Sequence, residues 1–119
     1  MSLSKKQRIF TLMVSDLISW AYSKGYELTF GEAYRTREQQ EIYVKSGRSK
    51  TMRSKHLKRL AVDFNLFIDG RYVRDPERYR PLGEEWERLG GRWGGRFGLK
   101  PEEYDKKVGW DANHFEYGG

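Results

Sequence analysis

No cysteine occurs in the 119 residues, which removes disulfides, thiolate metal sites and cysteine nucleophiles together. Stability must therefore come from packing, and any metal must be held by nitrogen and oxygen. Histidine is nearly as scarce, with only His56 and His114. Long apolar runs are also missing. The opening MSLSKKQRIF is basic, but the apolar stretch behind it is broken by Ser15 and Asp16, so it reads as neither a signal peptide nor a membrane span. There is no internal repeat and no low-complexity tract. The expectation is one compact domain over residues 1–119, large enough to bury a core, made in the cytoplasm without a signal peptide and not inserted in a membrane.

Charge is plentiful: 23 Lys and Arg against 17 Asp and Glu give a net +6. Such a surface suits an acidic partner, and nucleic acid, anionic lipid and anionic cell-wall polymer all qualify. Charge alone does not choose among them.

Between Lys6 and Lys24 the apolar residues Phe10, Met13, Val14, Leu17 and Ala21 recur at steps of three and four, and Gly25 follows as a stop, so the spacing predicts an amphipathic helix. YELTFGEAYR, rich in aromatic and β-branched residues, reads as a strand. Thr36 with Gln39 then makes a capping-box pattern opening a helix that Gly47 closes, which leaves Arg35 at a strand end just before a cap. In LAVDFNLFIDGRYV, residues Val62, Phe64, Leu66 and Ile68 alternate with Ala61, Asp63 and Asn65, and Asp69-Gly70 supplies a hairpin turn. A short helix around LGEEWERL should turn Leu82, Trp86 and Leu89 inward and end at Gly90. From Gly90 to Gly109 no period is sustained, and the segment reads as a loop that walls a site. The closing WDANHFEYGG turns into a last strand with His114 and Glu116 on one face and Phe115 and Tyr117 on the other.

A catalytic zinc commonly takes three protein ligands and keeps a fourth position open, and two imidazoles with one carboxylate satisfy it. His56, Asp63 and His114 are the simplest such set. A loop between His56 and the strand is required, because residues seven apart on one straight strand point to opposite faces. A surface histidine beside an ordinary strand is the competing reading on local spacing alone.

SKHLKRLAVDF followed by WDANHFEY resembles the two signatures of the zinc DD-peptidases and L-alanyl-D-glutamate peptidases of the M15 type, including phage endolysins. Ser54, His56, Ala61 and Asp63 match the first signature, and Asp111 and His114 the second. AYRTREQQEIY is similar to the family's Tyr-Arg-Ser/Thr segment, and GGRWGGRF to its glycine-tryptophan loop. The resemblance implies an α+β fold of Hedgehog/DD-peptidase type, a single small domain with a mainly antiparallel sheet and packed helices. It also implies Zn2+ bound by His56, Asp63 and His114, with Asp111 as general base and Arg35 steadying the substrate carbonyl or its oxyanion. Ser54 either hydrogen-bonds substrate or closes the turn before His56. Glu116 is a partner of His114, an alternative base or a solvated strand residue, and Trp93 and Trp110 either line the peptide groove as substrate-binding residues or belong to the core. Arg59 departs from the pattern by standing where the family prefers glycine, so the turn after His56 is expected to differ in shape.

The activity implied is zinc-dependent hydrolysis of a stem-peptide bond in bacterial peptidoglycan, by a monomer of phage or prophage endolysin type with no nucleic-acid partner, acting on the wall after release. The L-Ala–D-Glu bond is the expected target, with the glycines from Gly90 to Gly98 leaving room beside the metal for a stem attached at both ends. Two alternatives stand beside it: a D-alanyl-D-alanine carboxypeptidase, and an inactive module that binds cell wall or nucleic acid.

Overall fold

The computed structural model of the chain describes residues 1–49, 52 and 54–119. Helix α1 runs Leu3–Ser23, capped by the Ser2 hydroxyl, which accepts from the Lys5 amide, and it buries Phe10, Met13, Leu17 and Ala21 at the expected steps. Strand β1 (Tyr26–Phe30) follows, then helix α2 (Arg37–Lys45), whose cap is Thr36 accepting from the Gln39 amide. A 3-10 turn over Lys55–Lys58 leads into strand β2 (Ala61–Ile68), and Asp69-Gly70, both at positive φ, folds the chain into the short strand β3 (Arg71–Tyr72). Helix α3 (Arg80–Arg88) carries fully buried Leu82 and Trp86.

The segment after Gly90 is less irregular than its composition suggests. It holds strand β4 (Arg92–Trp93) and 3-10 turns over Gly94–Arg96 and Pro101–Glu103 before the last strand, β5 (His114–Glu116). The sheet is antiparallel in the order β1-β2-β5-β4, with β3 paired to the far end of β2. A two-residue strand flanked by glycines shows no period, so only its pairing with β5 reveals it.

Register sorts the side chains between two faces. Val62, Phe115 and Trp93 stand in one cross-strand row and are buried against α1 and α3, where Trp86 meets Phe10 and Phe115 edge-on. The alternate rows, Asp63 with His114 and Ala61 with Glu116 and Arg92, fall on the opposite face. The apolar side of the sheet thus makes the core and its other side carries the chemistry. No helix among the described residues is long and apolar enough to cross a membrane.

Candidate metal centre

Three segments converge on the polar face of the sheet. Asp63 and His114 are opposite one another across β2 and β5, and His56 comes from the preceding 3-10 turn, which carries its ring back over the strand start. His56 Nε2 lies 3.3 Å from Asp63 Oδ1, and His114 Nδ1 lies 3.2 Å from the same oxygen. One ligand atom from each of the three residues falls within 4.8 Å of the others. Both rings are buried and the carboxylate is half-buried.

Each imidazole is held from behind. His56 Nδ1 is 3.3 Å from the Ala33 carbonyl, and His114 Nε2 is 2.8 Å from Glu116 Oε1. Glu116 is fixed in turn by Lys55, whose Nζ lies 3.3 Å from Oε2 and also donates to the Tyr117 carbonyl. Anchoring one ring nitrogen leaves the other aimed at the shared centre, as metal-binding histidines require. A donor set of two imidazoles and one carboxylate suits zinc in charge and softness.

The electrostatics fit a place for a cation. Burial pushes the Asp63 carboxyl up, but hydrogen bonds and charge from His114 and His56 outweigh it and hold the group down at about 2. Burial opposes charge on His114, yet its bonds to Asp63 and Glu116 prevail and lift the ring to about 9.

Asp111 stands at the edge of this group. The turn in which the His114 amide donates to the Asp111 carbonyl sets Asp111 Oδ2 3.7 Å from His114 Nδ1. Burial is the main influence on its carboxyl, which lies above the ordinary aspartate range. Arg35 faces the same cleft of about 500 Å³ from the opposite wall. Its Nε is paired with Glu32, its Nη1 donates to Gln40 Oε1 at 2.6 Å and to Ser54 Oγ at 3.3 Å, and its guanidinium lies 4.7 Å over the Tyr43 ring. Tyr43 in turn donates to Glu32 Oε2. Ser54 caps the turn before His56 by accepting from its amide, and it lines the cleft as well.

Three expectations need correction. Trp93 does not line the groove: in register with Phe115 it points into the core, is fully buried, and donates from Nε1 to the Ala112 carbonyl at 2.7 Å. The exposed tryptophan is Trp110, which packs at a tilt against the cleft residue Phe97. Gly91, Gly94 and Gly95 do not serve to leave open space. A Cβ on Gly91 would lie 2.0 Å from Trp86, one on Gly95 2.2 Å from Trp93, and one on Gly94 2.1 Å from the Asp111 carbonyl. These glycines let backbone pack directly against tryptophan and against the turn that bears Asp111. Finally, the turn after His56 keeps the left-handed conformation that glycine would favour, with Arg59 at φ 56° and its guanidinium 4.1 Å over Tyr34.

Glu116 is the partner of His114 that the strand alternation suggested, whereas the other groups that hold the site carry little signal in the sequence. Glu32, three residues before Arg35, carries a charge-pair spacing that could have drawn notice, whereas Gln40 gives no sign of being buried and the Ala33 carbonyl has no side-chain signature.

A family model described as D-alanyl-D-alanine carboxypeptidase, of the peptidase M15 type, matches residues 47–117. The chain belongs to the M15 peptidase family. Among curated relatives, the L-alanyl-D-glutamate peptidase of Listeria phage A118 is 40% identical over an alignment covering 66% of this M15 chain and 31% of that protein. The chain thus spans about a third of the length of that relative. The solved L-Ala D-Glu endopeptidase ChiX of Serratia marcescens superposes with a TM-score of 0.64 at 24% identity, covering 85% of this chain and 74% of ChiX. A mutant of the vancomycin-resistance D,D-pentapeptidase VanY in complex with Zn(II) gives 0.60 at 26% identity, covering 92% and 71%. The M15 chain shares their fold, a small α+β unit with helices packed on an antiparallel sheet.

Proposed function

We propose that this M15 chain is the catalytic unit of a zinc-dependent peptidoglycan hydrolase that cuts the L-Ala–D-Glu bond of the stem peptide, and that it acts on the wall as a monomer after release from the cell. The observation that carries the reading is the convergence of His56, Asp63 and His114 at one point, with Asp111 beside them and Arg35 across the same cleft. The name of the phage relative and that of ChiX favour this bond.

His56 Nε2, Asp63 Oδ1 and His114 Nδ1 would hold the ion. When bound, zinc supplies Lewis acidity toward a carbonyl oxygen and lowers the pKa of water. Asp111 takes the proton of the attacking water and hands it to the departing amine, and the burial that raises its carboxyl makes it a better proton acceptor than a solvated aspartate. Arg35 faces the oxygen on which negative charge grows. Its head is already set by Glu32, Gln40 and Ser54, so no reorganisation is needed at the moment of reaction. Glu116, on the far nitrogen of His114, orients that ring and is not placed to act as base.

Removal of a terminal D-alanine is the second reading, favoured by the description of the family model and by the likeness to VanY. Digestion of purified peptidoglycan by the zinc-loaded protein, followed by mass spectrometry of the fragments, separates the two. Stem fragments beginning with D-Glu are expected. Release of free D-alanine with the L-Ala–D-Glu bond intact would transfer the assignment to the carboxypeptidase.

A further inference from the structure

The cleft holds four Arg and Lys side chains, and they are not equivalent. Arg35 is paired with Glu32 and Lys55 with Glu116, whereas Arg48 and Arg92 have no carboxylate partner among the described residues. Arg92 stands in the cross-strand row of Glu116, on the sheet face that carries Asp63 and His114. Its guanidinium rests 5.1 Å over the Phe97 ring, and Phe97 in turn packs on His114. Glu116 satisfies itself with His114 and Lys55, so Arg92 is left presenting a charge to solvent beside the reaction centre.

We infer that Arg92 is a substrate-binding residue that takes the free α-carboxylate of the D-amino acid residue whose amine departs. The inference rests on the hydrolase reading above, and its first support is substrate chemistry. A D-glutamate joined through its amine and its side-chain carboxyl keeps an α-carboxylate, and a terminal D-alanine keeps one too. In both cases that carboxylate sits on the carbon bearing the leaving nitrogen.

The second support is the layout of the walls. The leaving nitrogen receives its proton from Asp111, so the leaving residue lies against the wall that holds Asp111. That wall is the β4 segment: the Asp111 amide donates to the Gly94 carbonyl, two residues after Arg92. Arg48 follows α2 and sits by Tyr43, on the wall of Arg35, where the acyl side of the substrate belongs. Arginine matches a carboxylate in a fork geometry that a lysine at the same place would not reproduce. Carboxylate capture therefore does not distinguish an endopeptidase from a carboxypeptidase in this cleft. The space for the continuing chain does.

The test compares the tripeptide L-Ala-γ-D-Glu-L-Lys with its α-amide, in which the carboxylate is replaced by a carboxamide. The zinc-loaded wild type, Arg92→Gln and Arg48→Gln proteins are assayed, and binding of both peptides to Asp111→Asn and to the Asp111→Asn/Arg92→Gln double variant is followed by NMR titration. The wild type should favour the carboxylate, and Arg92→Gln should raise KM for it by roughly tenfold, as for loss of a solvent-edged charge pair, with kcat little changed and the amide unaffected. Arg48→Gln should keep the preference. Equal loss on both peptides by Arg92→Gln, no loss on either, or loss of the preference in Arg48→Gln instead would overturn the assignment. If the wild type cleaves neither peptide, the hydrolase reading has failed on this bond, and the titration still decides the subsite: tighter binding of the carboxylate form that disappears with Arg92→Gln supports it, and equal binding of the two forms refutes it.

Discussion

At the residue scale the site works by giving each group one task and occupying its other valences. His56 uses Nδ1 on the Ala33 carbonyl and His114 uses Nε2 on Glu116, so one nitrogen of each remains for the centre. Among the described residues no hydrogen bond anchors the Asp111 carboxylate, which approaches His114 at 3.7 Å, and this suits the proton transfer proposed for it. Asp111→Asn should accordingly keep fold and zinc while turnover falls by about 10²-fold to 10⁴-fold, as expected when general-base catalysis is removed, measured by peptide hydrolysis beside metal analysis. Near-full activity would place the base elsewhere. The raised His114 ring carries a second consequence. In the metal-free chain the folded ring keeps its proton up to about 9, above its ordinary 6.5. The stability this contributes is complete below pH 6.5 and is lost as pH rises through 9. Zinc must displace that proton, so affinity should climb with pH across the same window, and calorimetric titration near pH 7.5 in buffers of different ionisation heat should find about one proton released per metal. Release of none would contradict the arrangement.

At the element scale, what was legible and what was not divide along local and long-range causes. The alternation of β2 placed Asp63 opposite the apolar face, the spacing of α1 placed its core stripe, and the Thr36 cap set Arg35 just ahead of α2, because each depends on neighbours within a few residues. Strand β4 and the burial of Trp93 depend on pairing with Phe115, more than twenty positions away, and no local pattern announces them. Arg59 shows a middle case. Its left-handed turn costs roughly 1–2 kcal/mol for a side-chain-bearing residue, while glycine there would lose about 0.5–1 kcal/mol in chain entropy and the stacking on Tyr34 is worth about 0.5–1 kcal/mol. Thermal or urea unfolding should therefore find Arg59→Gly within about 1 kcal/mol of the parent. Arg59→Val, which forfeits the stacking and adds the extra strain of a β-branched side chain at positive φ, should lose about 1–3 kcal/mol. Gly94 tests the wall beside Asp111. An added Cβ would lie 2.1 Å from the Asp111 carbonyl and 2.9 Å from His114 Cβ, so the turn must move. Gly94→Ala should cost about 1–3 kcal/mol of stability, and by displacing the base it should lower turnover by about 10²-fold. Unchanged kinetics would mean that the turn has slack.

Across the whole molecule, one sheet divides two kinds of work. Its inner face spends the large apolar side chains on packing with α1 and α3, and its outer face carries Asp63, His114, Glu116 and Arg92. That division lets a chain with no cysteine and only two histidines place both of them at one point, since β5 pairs with β2 in the register that sets His114 against Asp63. The M15 signatures in the sequence pointed to the same residues because they lie in or beside these two strands. The proposed activity requires that they form a single metal site with the base outside the ligand set. Zinc stoichiometry of the purified protein and four variants tests it most directly. About one zinc per chain is expected in the parent and in Asp111→Asn, with severe loss in His56→Ala, Asp63→Ala and His114→Ala. Full occupancy in any of those three alanine variants, or an empty Asp111→Asn protein, would contradict it.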